Sequence, residues 1–439
     1  MNVCMVGTGY VGLVAGTCLS DFGMNVICVD KIKERIDLLN NGEVPIYELG
    51  LGDLIKKNVK LGRLHFSSDL NEAVDRSLVV FLAVGTPESE DGTADLSQIN
   101  EVALQIAGCM KEYKVIAIKS TVPVGTARAL RELIKENQAR NVDFDIVSNP
   151  EFLREGSAVE DFLRPNRIIL GSHSERALAI MRDIYRPLYL LETPIVSTTN
   201  ETAEVIKYAA NTMLALRISF INEVANLCDR VNADVYQVAV ALGMDRRIGP
   251  KFLHPGPGFG GSCFPKDVKS LTRIARHYGY EFKLAEAIIE INARQKELVV
   301  EKSRNALGDL RGKTIGILGL SFKPNTDDTR EAPAIYAAGR MLEEGAIVNA
   351  YDPIAMDEAR KELPDLNYCN DLYSVCENAD IVIIMTEWNE FRDLDFLRIK
   401  GLVRTPIIYD TRNIYDPATL AGMGFEYIGM GRGIPRSAV

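Results

Sequence analysis

The chain has 439 residues, with 50 basic against 60 acidic side chains and a net charge of -10, so no diffuse basic field is present to gather nucleic-acid phosphates. A composition of 47% hydrophobic and 25% charged residues excludes disordered and fibrous classes. At roughly 150 residues per domain, the length calls for about three domains.

From Met1 to about Thr199, short Val/Ile-rich runs alternate with helical patterns. Strands are predicted at Val3 to Val6, Val26 to Val29, Leu78 to Val84, Val115 to Lys119, Ile146 to Ser148, Arg167 to Gly171 and Ile195 to Ser197. Most are too apolar to keep one wet face, which predicts a parallel sheet covered by helices on both sides. Gly7-Thr8-Gly9-Tyr10-Val11-Gly12 follows the first strand and opens a helix predicted over Leu13 to Phe22, and the second strand ends at Asp30, eighteen residues after Gly12. Strand, glycines, helix, strand and terminal acid in this order make a dinucleotide site. Gly9 lets a pyrophosphate approach the backbone, Gly12 lets helix and strand pack closely, and the helix N-terminus faces the anion. Asp30 is expected on the ribose hydroxyls, where its charge disfavours a 2'-phosphate and selects NAD over NADP. Lys31 and Lys33 read as a solvated helix start, and Arg35 is taken with Asp30 into the cofactor site.

The character changes from Asn200 to about Ala306. Glu201 to Arg230 predicts one long helix, apolar on so much of its girth that burial between domains or subunits is expected. Further helices are predicted over Asp234 to Leu242 and Lys283 to Leu307. Between them lies Gly256-Pro257-Gly258-Phe259-Gly260-Gly261-Ser262-Cys263-Phe264-Pro265-Lys266-Asp267. Pro265 suits the first turn of a helix, which puts Cys263 at a helix N-terminus near Lys266, surroundings that favour thiolate and a nucleophilic role. Lys207 and Asn211, four apart on the long helix, share one face.

From Lys313 the alternation restarts, with strands predicted at Thr314 to Leu320, Ala346 to Tyr351, Asp380 to Met385 and Ile407 to Tyr409 and a helix over Ala334 to Glu344. Gly316 to Gly319 resembles half a dinucleotide fingerprint without its third glycine and reads as a packed strand end. The fold class is α/β: two doubly wound, Rossmann-like domains, 1–199 with the NAD site and 307–439, joined by a helical region with the candidate cysteine, 200–306. The eight cysteines contain no CxxC pair, and seven read as core residues. The four histidines cluster with no other ligand, so no metal is expected. No apolar run reaches about 18 residues and no leader precedes the first strand, so no membrane segment and a cytoplasmic protein are expected.

The segment Gly258 to Asp267 resembles the active-site signature of the UDP-glucose/GDP-mannose dehydrogenase family, and the likeness extends over the whole chain. It includes Val6 to Gly12, Gly85-Thr86-Pro87, Ser120 to Thr126, Asn149-Pro150-Glu151-Phe152-Leu153-Arg154-Glu155-Gly156 and Phe322-Lys323. The resemblance implies oxidation of a sugar C6 alcohol to a carboxylate by two NAD+, with the aldehyde never released. It also implies that 307–439 binds the substrate nucleotide and that 200–306 forms a dimer. Cys263 would carry a thiohemiacetal and then a thioester. Lys207 and Asn211 would contact the substrate and stabilise oxyanions, Glu151 would be the base for thioester hydrolysis, and Thr121 and Asp267 would order the water. Cofactor contacts would come from Thr86, Thr121, Glu155, Lys266 and Arg330, beside Gly7, Gly9, Tyr10, Val11, Gly12, Asp30 and Arg35.

The same resemblance assigns the nucleotide sugar to Glu151, Phe152, Leu153, Arg154, Glu155, Lys207, Asn211, Phe252, Leu253, Gly256, Gly260 and Lys323, and to Arg247 reaching across a homodimer built on the central helix. His254 receives no role. Phe264 and the Gly-Pro-Gly-Phe-Gly-Gly run are more like the UDP-glucose branch than the GDP-mannose branch, which is the nearest rival with the same chemistry. A catalytically silent nucleotide-sugar sensor would need no thiol nucleophile. A one-step hydroxyacid dehydrogenase would leave the third region without purpose.

Overall fold

Strand β1 (Asn2–Val6) turns Val3 and Met5 to one side of a sheet, where Leu13 packs, and Cys4 and Val6 to the other, against Ile99 and Ile116. Both faces are therefore dry, as a sheet with helices on each side requires. In the computed structural model, which describes residues 1–89 and 92–433, the chain divides into two units, Met1–Ala210 and Asn211–Val439. Residues 434–439 of the expected third domain thus lie outside the described residues.

The first unit contains β1, β2 (Asn25–Val29), β3 (Leu64–Ser67), β4 (Val79–Leu82), β5 (Lys114–Ile118), β6 (Phe144–Ser148), β7 (Ile168–Gly171) and β8 (Ile195–Thr198) in the spatial order β3-β2-β1-β4-β5-β6-β7-β8. The first six strands are parallel and doubly wound, and the order reverses between β1 and β4, where ligands bind in such sheets. Two features depart from the expected pattern. Strand β3 is a short edge strand that alternates Leu64 and Phe66 inward with His65 outward, too brief to read as an apolar run. Strand β7 meets β6 antiparallel, and only at Ser148 and Gly171, so the sheet is mixed rather than parallel throughout.

That tip-to-tip contact decides where the long helix starts. Because the carboxyl ends of β6 and β7 touch, and β8 runs parallel to β7, the chain leaves β8 at the carboxyl end of β6. The helix Asn200–Val231 begins there: the Asn200 amide donates to Ser148 Oγ at 3.0 Å and to the Gly171 carbonyl at 2.8 Å. A Cβ on Gly171 would stand 2.5 Å from the Ala203 Cβ and 2.6 Å from the Thr199 carbonyl, so only glycine admits the helix.

The second unit opens inside this helix and continues with helices Val235–Met244, capped by Asp234, Phe264–His277 and Lys283–Leu307. Its own sheet holds β9 (Thr314–Leu318), β10 (Ile347–Tyr351), β11 (Asn367–Tyr368), β12 (Ile381–Ile384), β13 (Ile407–Asp410) and β14 (Glu426–Gly429), all parallel, in the order β11-β10-β9-β12-β13-β14. Gly316 and Gly319 are packing glycines, since added Cβ atoms would meet the Val375 carbonyl at 2.8 Å and the Thr386 Cβ at 2.4 Å.

The long helix is less covered than its composition suggests. Ala203, Tyr208, Ala215, Ile221, Ala225 and Cys228 are buried, but Met213, Phe220 and Leu227 keep half or more of their surface. These three recur at seven-residue steps and form one stripe, so burial within the chain ends where that stripe begins. Of the seven thiols expected in the core, Cys4, Cys18, Cys28, Cys228 and Cys376 are buried, while Cys109 and Cys369 sit at the core's edge. Among the described residues, no helix is long and apolar enough to cross a membrane, and no group of three His, Cys, Asp or Glu could hold a metal.

Candidate active site

In the first unit, Gly7 adopts φ 100°, and a Cβ there would lie 2.6 Å from the Ala83 carbonyl. A Cβ on Gly12 would lie 1.9 Å from the Gly7 carbonyl, so helix and turn are packed backbone to backbone. Space above Gly9, by contrast, is open. Gly9 is the N-cap of helix Tyr10–Asp21 and offers no side chain to the helix's first N–H groups, which leaves them for an anion. Just beyond β2, the buried Asp30 carboxylate accepts the Thr8 N–H and hydroxyl, both at 2.8 Å, and pairs with Arg35 at 3.4 Å. Burial pushes the Asp30 carboxyl up, but the N–H groups of Ile32 and Thr8, the Thr8 hydroxyl and Arg35 together hold it below its usual range. An open glycine turn, an uncapped helix start and an ionised acid beyond the second strand fit a dinucleotide lacking a 2'-phosphate. Lys31 and Lys33 pair with Glu101 and Asp37 on the surface, as their solvated reading requires.

The loops after β4, β5 and β6 supply the rest of this half. Thr86 donates its hydroxyl to the Thr121 carbonyl at 2.8 Å. The segment after β6 carries Glu151, buried, whose Oε1 accepts Lys207 Nζ at 2.9 Å and whose Oε2 accepts the Leu153 N–H at 2.5 Å. Lys207 itself is buried, and its ammonium stands 5.3 Å from the Phe152 ring. Burial would raise the Glu151 carboxyl, but the Lys207 charge and hydrogen bond, the Leu153 N–H and the charge of Lys119 hold it low. Arg154 grips Asp161 through both its backbone N–H and its guanidinium.

Glu48 and Lys119 escaped the sequence reading. Glu48 is buried, bonds the Tyr10 hydroxyl, and accepts the N–H groups of Gly156 and Ala158 at 2.8 Å each, tying the Glu151 to Gly156 segment to the glycine-turn helix. Lys119 is buried beside Asn149 Oδ1 at 3.5 Å, and burial brings its ammonium down to about 8. Both carried a signal: Glu48 is the only charged residue between Val44 and Leu51, and Lys119 closes an apolar strand run.

In the second unit, Cys263 is the N-cap of helix Phe264–His277, with Pro265 in the first turn as expected. Its thiol is half-buried, 3.5 Å from Ser262 Oγ. One turn along, Asp267 is buried and accepts Asn211 Nδ2 at 2.6 Å and Lys266 Nζ at 2.8 Å. The structure thus joins Cys263, Asp267, Asn211 and Lys266 in one cluster, with the Lys266 charge directed at Asp267. The glycines before Cys263 allow close packing: a Cβ on Gly260 would lie 2.4 Å from the Glu331 carbonyl, and one on Gly261, at φ 79°, 2.7 Å from the Phe322 ring. Lys323 Nζ stands 5.3 Å from that ring. Arg330 holds the loop through its carbonyl, which accepts the Gly261 N–H at 2.8 Å, while its guanidinium pairs with Asp328.

Three residues that the sequence reading passed over brace this loop. Asn222 Oδ1 accepts the Gly256 N–H, Gln295 Nε2 donates to the Gly256 carbonyl, and Asn292 makes a two-way pair with the Phe259 backbone. All three are buried polar residues on helices, and amides at core-facing positions were the available signal. Phe252 adopts φ 63° and faces the Phe264 ring at 6.4 Å, with Leu253 buried beside it in sequence. Arg247 stays apart: exposed, it pairs with Asp245 in its own turn.

The doubly wound sheet, glycine turn and ionised Asp30 define a dinucleotide-binding enzyme of the NAD-dependent dehydrogenase class. Family models match in three consecutive stretches: the NAD binding domain at residues 1–189, the central domain at 201–294 and the UDP binding domain at 316–417. The chain belongs to the UDP-glucose/GDP-mannose dehydrogenase family, and its cofactor is NAD. It is 48% identical to the UDP-glucose 6-dehydrogenase of Rhizobium meliloti, over 98% of this chain and 100% of that protein. It is 45% identical to UDP-glucose 6-dehydrogenase TuaD of Bacillus subtilis, over 98% and 93% respectively. Among solved structures, the UDP-glucose dehydrogenase of Pyrobaculum islandicum superposes with a TM-score of 0.91 at 36% identity, covering 98% of this chain and 97% of that one.

Proposed function

We propose that the chain oxidises UDP-glucose to UDP-glucuronate. The observation that carries this reading is the Cys263 cluster: a half-buried thiol at a helix N-terminus, one turn from a buried Asp267 that holds Asn211 and Lys266. NAD supplies the hydride acceptor, one molecule for each of the two oxidations. The C6 hydroxyl first loses its proton and the C6 carbon a hydride, which gives the aldehyde. Cys263 Sγ then bonds to the C6 carbon, and the resulting thiohemiacetal loses its hydroxyl proton and second hydride to give a thioester. Water displaces the thiol, releasing the carboxylate, and the balance is one alcohol, two NAD+ and one water to one carboxylate, two NADH and three protons. Lys207 and Asn211 donate to the developing oxyanions. Glu151 takes the proton from the attacking water, ordered by Thr121 and Asp267.

The remaining assignments follow the same reading. Gly7, Gly9, Tyr10, Val11, Gly12, Asp30, Arg35, Thr86, Thr121, Glu155, Lys266 and Arg330 hold the cofactor. Phe152, Leu153, Arg154, Phe252, Leu253, Gly256, Gly260 and Lys323 hold the nucleotide sugar. The functional segments are 1–199, 200–306 and 307–439, and the three family matches support that division. The exposed stripe of Met213, Phe220 and Leu227 supports a homodimer through the central helix, with Arg247 serving the neighbouring subunit. The eight free thiols suit the reducing cytoplasm.

The test is NADH production across UDP-glucose, GDP-mannose, UDP-N-acetylmannosamine and a plain 2-hydroxy acid. Limiting UDP-glucose should give two NADH per sugar, and one NADH with free aldehyde in solution would refute the thioester route. Preference for another of the four would overturn the substrate.

A further inference from the structure

Glu204 lies three residues before Lys207 on the long helix and is buried, yet the chemistry above gives it no task. Both of its oxygens serve a distant segment: Oε2 accepts the Gly125 N–H at 2.7 Å and Oε1 the Ala127 N–H at 2.9 Å. Those groups begin helix Thr126–Asn137, whose own N-cap, Gly125 at φ 95°, has no side chain to offer. A helix start leaves N–H groups unsatisfied and favours negative charge, so Glu204 is the cap of this helix, supplied from another element. Burial pushes its carboxyl up to about 7 against the pull of these two N–H groups, and at φ 95° position 125 favours glycine, so the cap comes from elsewhere in the chain.

The capped turn leads back to Thr121. Thr126 Oγ1 donates to the Pro123 carbonyl at 2.6 Å, Val122 is buried, and the Thr121 carbonyl is held by Thr86 at 2.8 Å. Ser120, Thr121, Ser148, Glu204 and Lys207 line one small cleft. Thr121 is thus fixed on one side by Thr86, and on the other through a four-residue path that ends on the Glu204 carboxylate.

We propose that Glu204 is a positioning residue: by bracketing the Gly125 and Ala127 N–H groups, it sets the Thr121 turn in register with the helix that carries Lys207. The inference rests on the reading of Thr121 as a group that orders the hydrolytic water. Losing the bracket leaves Cys263 and its neighbours untouched, so formation of the thioester continues while its hydrolysis slows.

The experiment uses Glu204→Gln in the full chain. A glutamine oxygen can accept one of the two N–H groups, but its NH2 then opposes the other. Rapid mixing with UDP-glucose and excess NAD+ measures the NADH formed per site before steady state, and intact-protein mass after acid quench detects the sugar bound to Cys263. The variant should keep the two-NADH burst, lose on the order of 10²-fold in steady-state rate, the scale for a misplaced reacting group, and accumulate the adduct. Glu204→Ala, which leaves both N–H groups to water, is measured in parallel and decides the matter should the glutamine variant fail to fold. Burst and steady rate falling together without adduct, or a steady rate within about threefold of the parent, would overturn the proposal. An unmodified protein that forms no adduct under any quench would instead refute the thioester reading, and this inference with it.

Discussion

Replacing Lys207 by Met isolates the most exacting electrostatic arrangement in the first unit. Glu151 and Lys207 are both buried and meet at 2.9 Å, so the substitution leaves a carboxylate inside the protein without its nearest cation. Breaking such a pair costs about 3–5 kcal/mol. The Leu153 N–H and the charge of Lys119 still act on Glu151, which argues for the lower end, about 3 kcal/mol by the same scale. For a unit of this size that corresponds to a fall of roughly 6–12 °C in Tm. The pH dependence fixes the cause. In the parent the Glu151 carboxyl is held low, so its pairing contributes stability above the ordinary carboxylate pKa, lost as pH falls through the depressed value. In the variant burial dominates and the carboxyl is raised, so folding favours the protonated form and the deficit, greatest at neutral pH, shrinks on acidification. Calorimetric scans of parent and variant at pH 5 and pH 8, with Lys207→Met/Glu151→Gln as the closing corner, measure this. A deficit under about 1 kcal/mol, or one equal at both pH values, would refute the reasoning, because an unpaired buried charge must titrate.

Three further outcomes are expected. Cys263→Ala should abolish net oxidation and leave UDP-glucose affinity by calorimetry within a few-fold, since the thiol forms a bond and carries no diphosphate contact; lost binding would make it a packing residue. Asp30→Ala should narrow the preference for NAD+ over NADP+ by removing a charge that repels a 2'-phosphate, and kcat/KM for both cofactors reads it; an unchanged ratio would place discrimination elsewhere. Co-expression of the dead variants Cys263→Ala and Arg247→Ala should revive half the sites in mixed dimers, about a quarter of all sites under random assortment in a twofold dimer. No recovery from confirmed mixed dimers would confine Arg247 to its own chain.

The sequence was most legible where chemistry and backbone coincide locally. The glycine turn, Asp30 and the Cys263 helix start each occupy a short stretch whose residue types permit few conformations, and the structure agrees at each. The long helices Asn200–Val231 and Lys283–Leu307 were readable because a 3.6-residue period persists over many turns. What escaped depends on distant partners. The contact between Ser148 and Gly171 that reverses β7 has no local signature, yet it starts the long helix where Lys207 can meet Glu151. Glu48, set in an apolar run, and Glu204, among the polar residues that open the long helix, show no task until the backbone N–H groups that they satisfy, 108 and 79 residues away in sequence, are folded onto them. Strands β3, β11 and β14 were missed because each is a short strand at the edge of its sheet and lacks the continuous apolar run of the central strands.

The distribution of thiols has a practical consequence. Burial raises Cys4, Cys109, Cys228 and Cys369 and pushes Cys18, Cys28 and Cys376 up to about 12, so all seven remain poor nucleophiles at neutral pH. Cys263 alone combines partial exposure with a helix N-terminus. A mild haloacetamide should therefore label one cysteine per chain in step with inactivation, and bound nucleotide sugar should protect it. In folded protein the same reagent is a titrant of competent centres, and labelling beyond one per chain reports molecules that have lost their fold and exposed the other seven thiols.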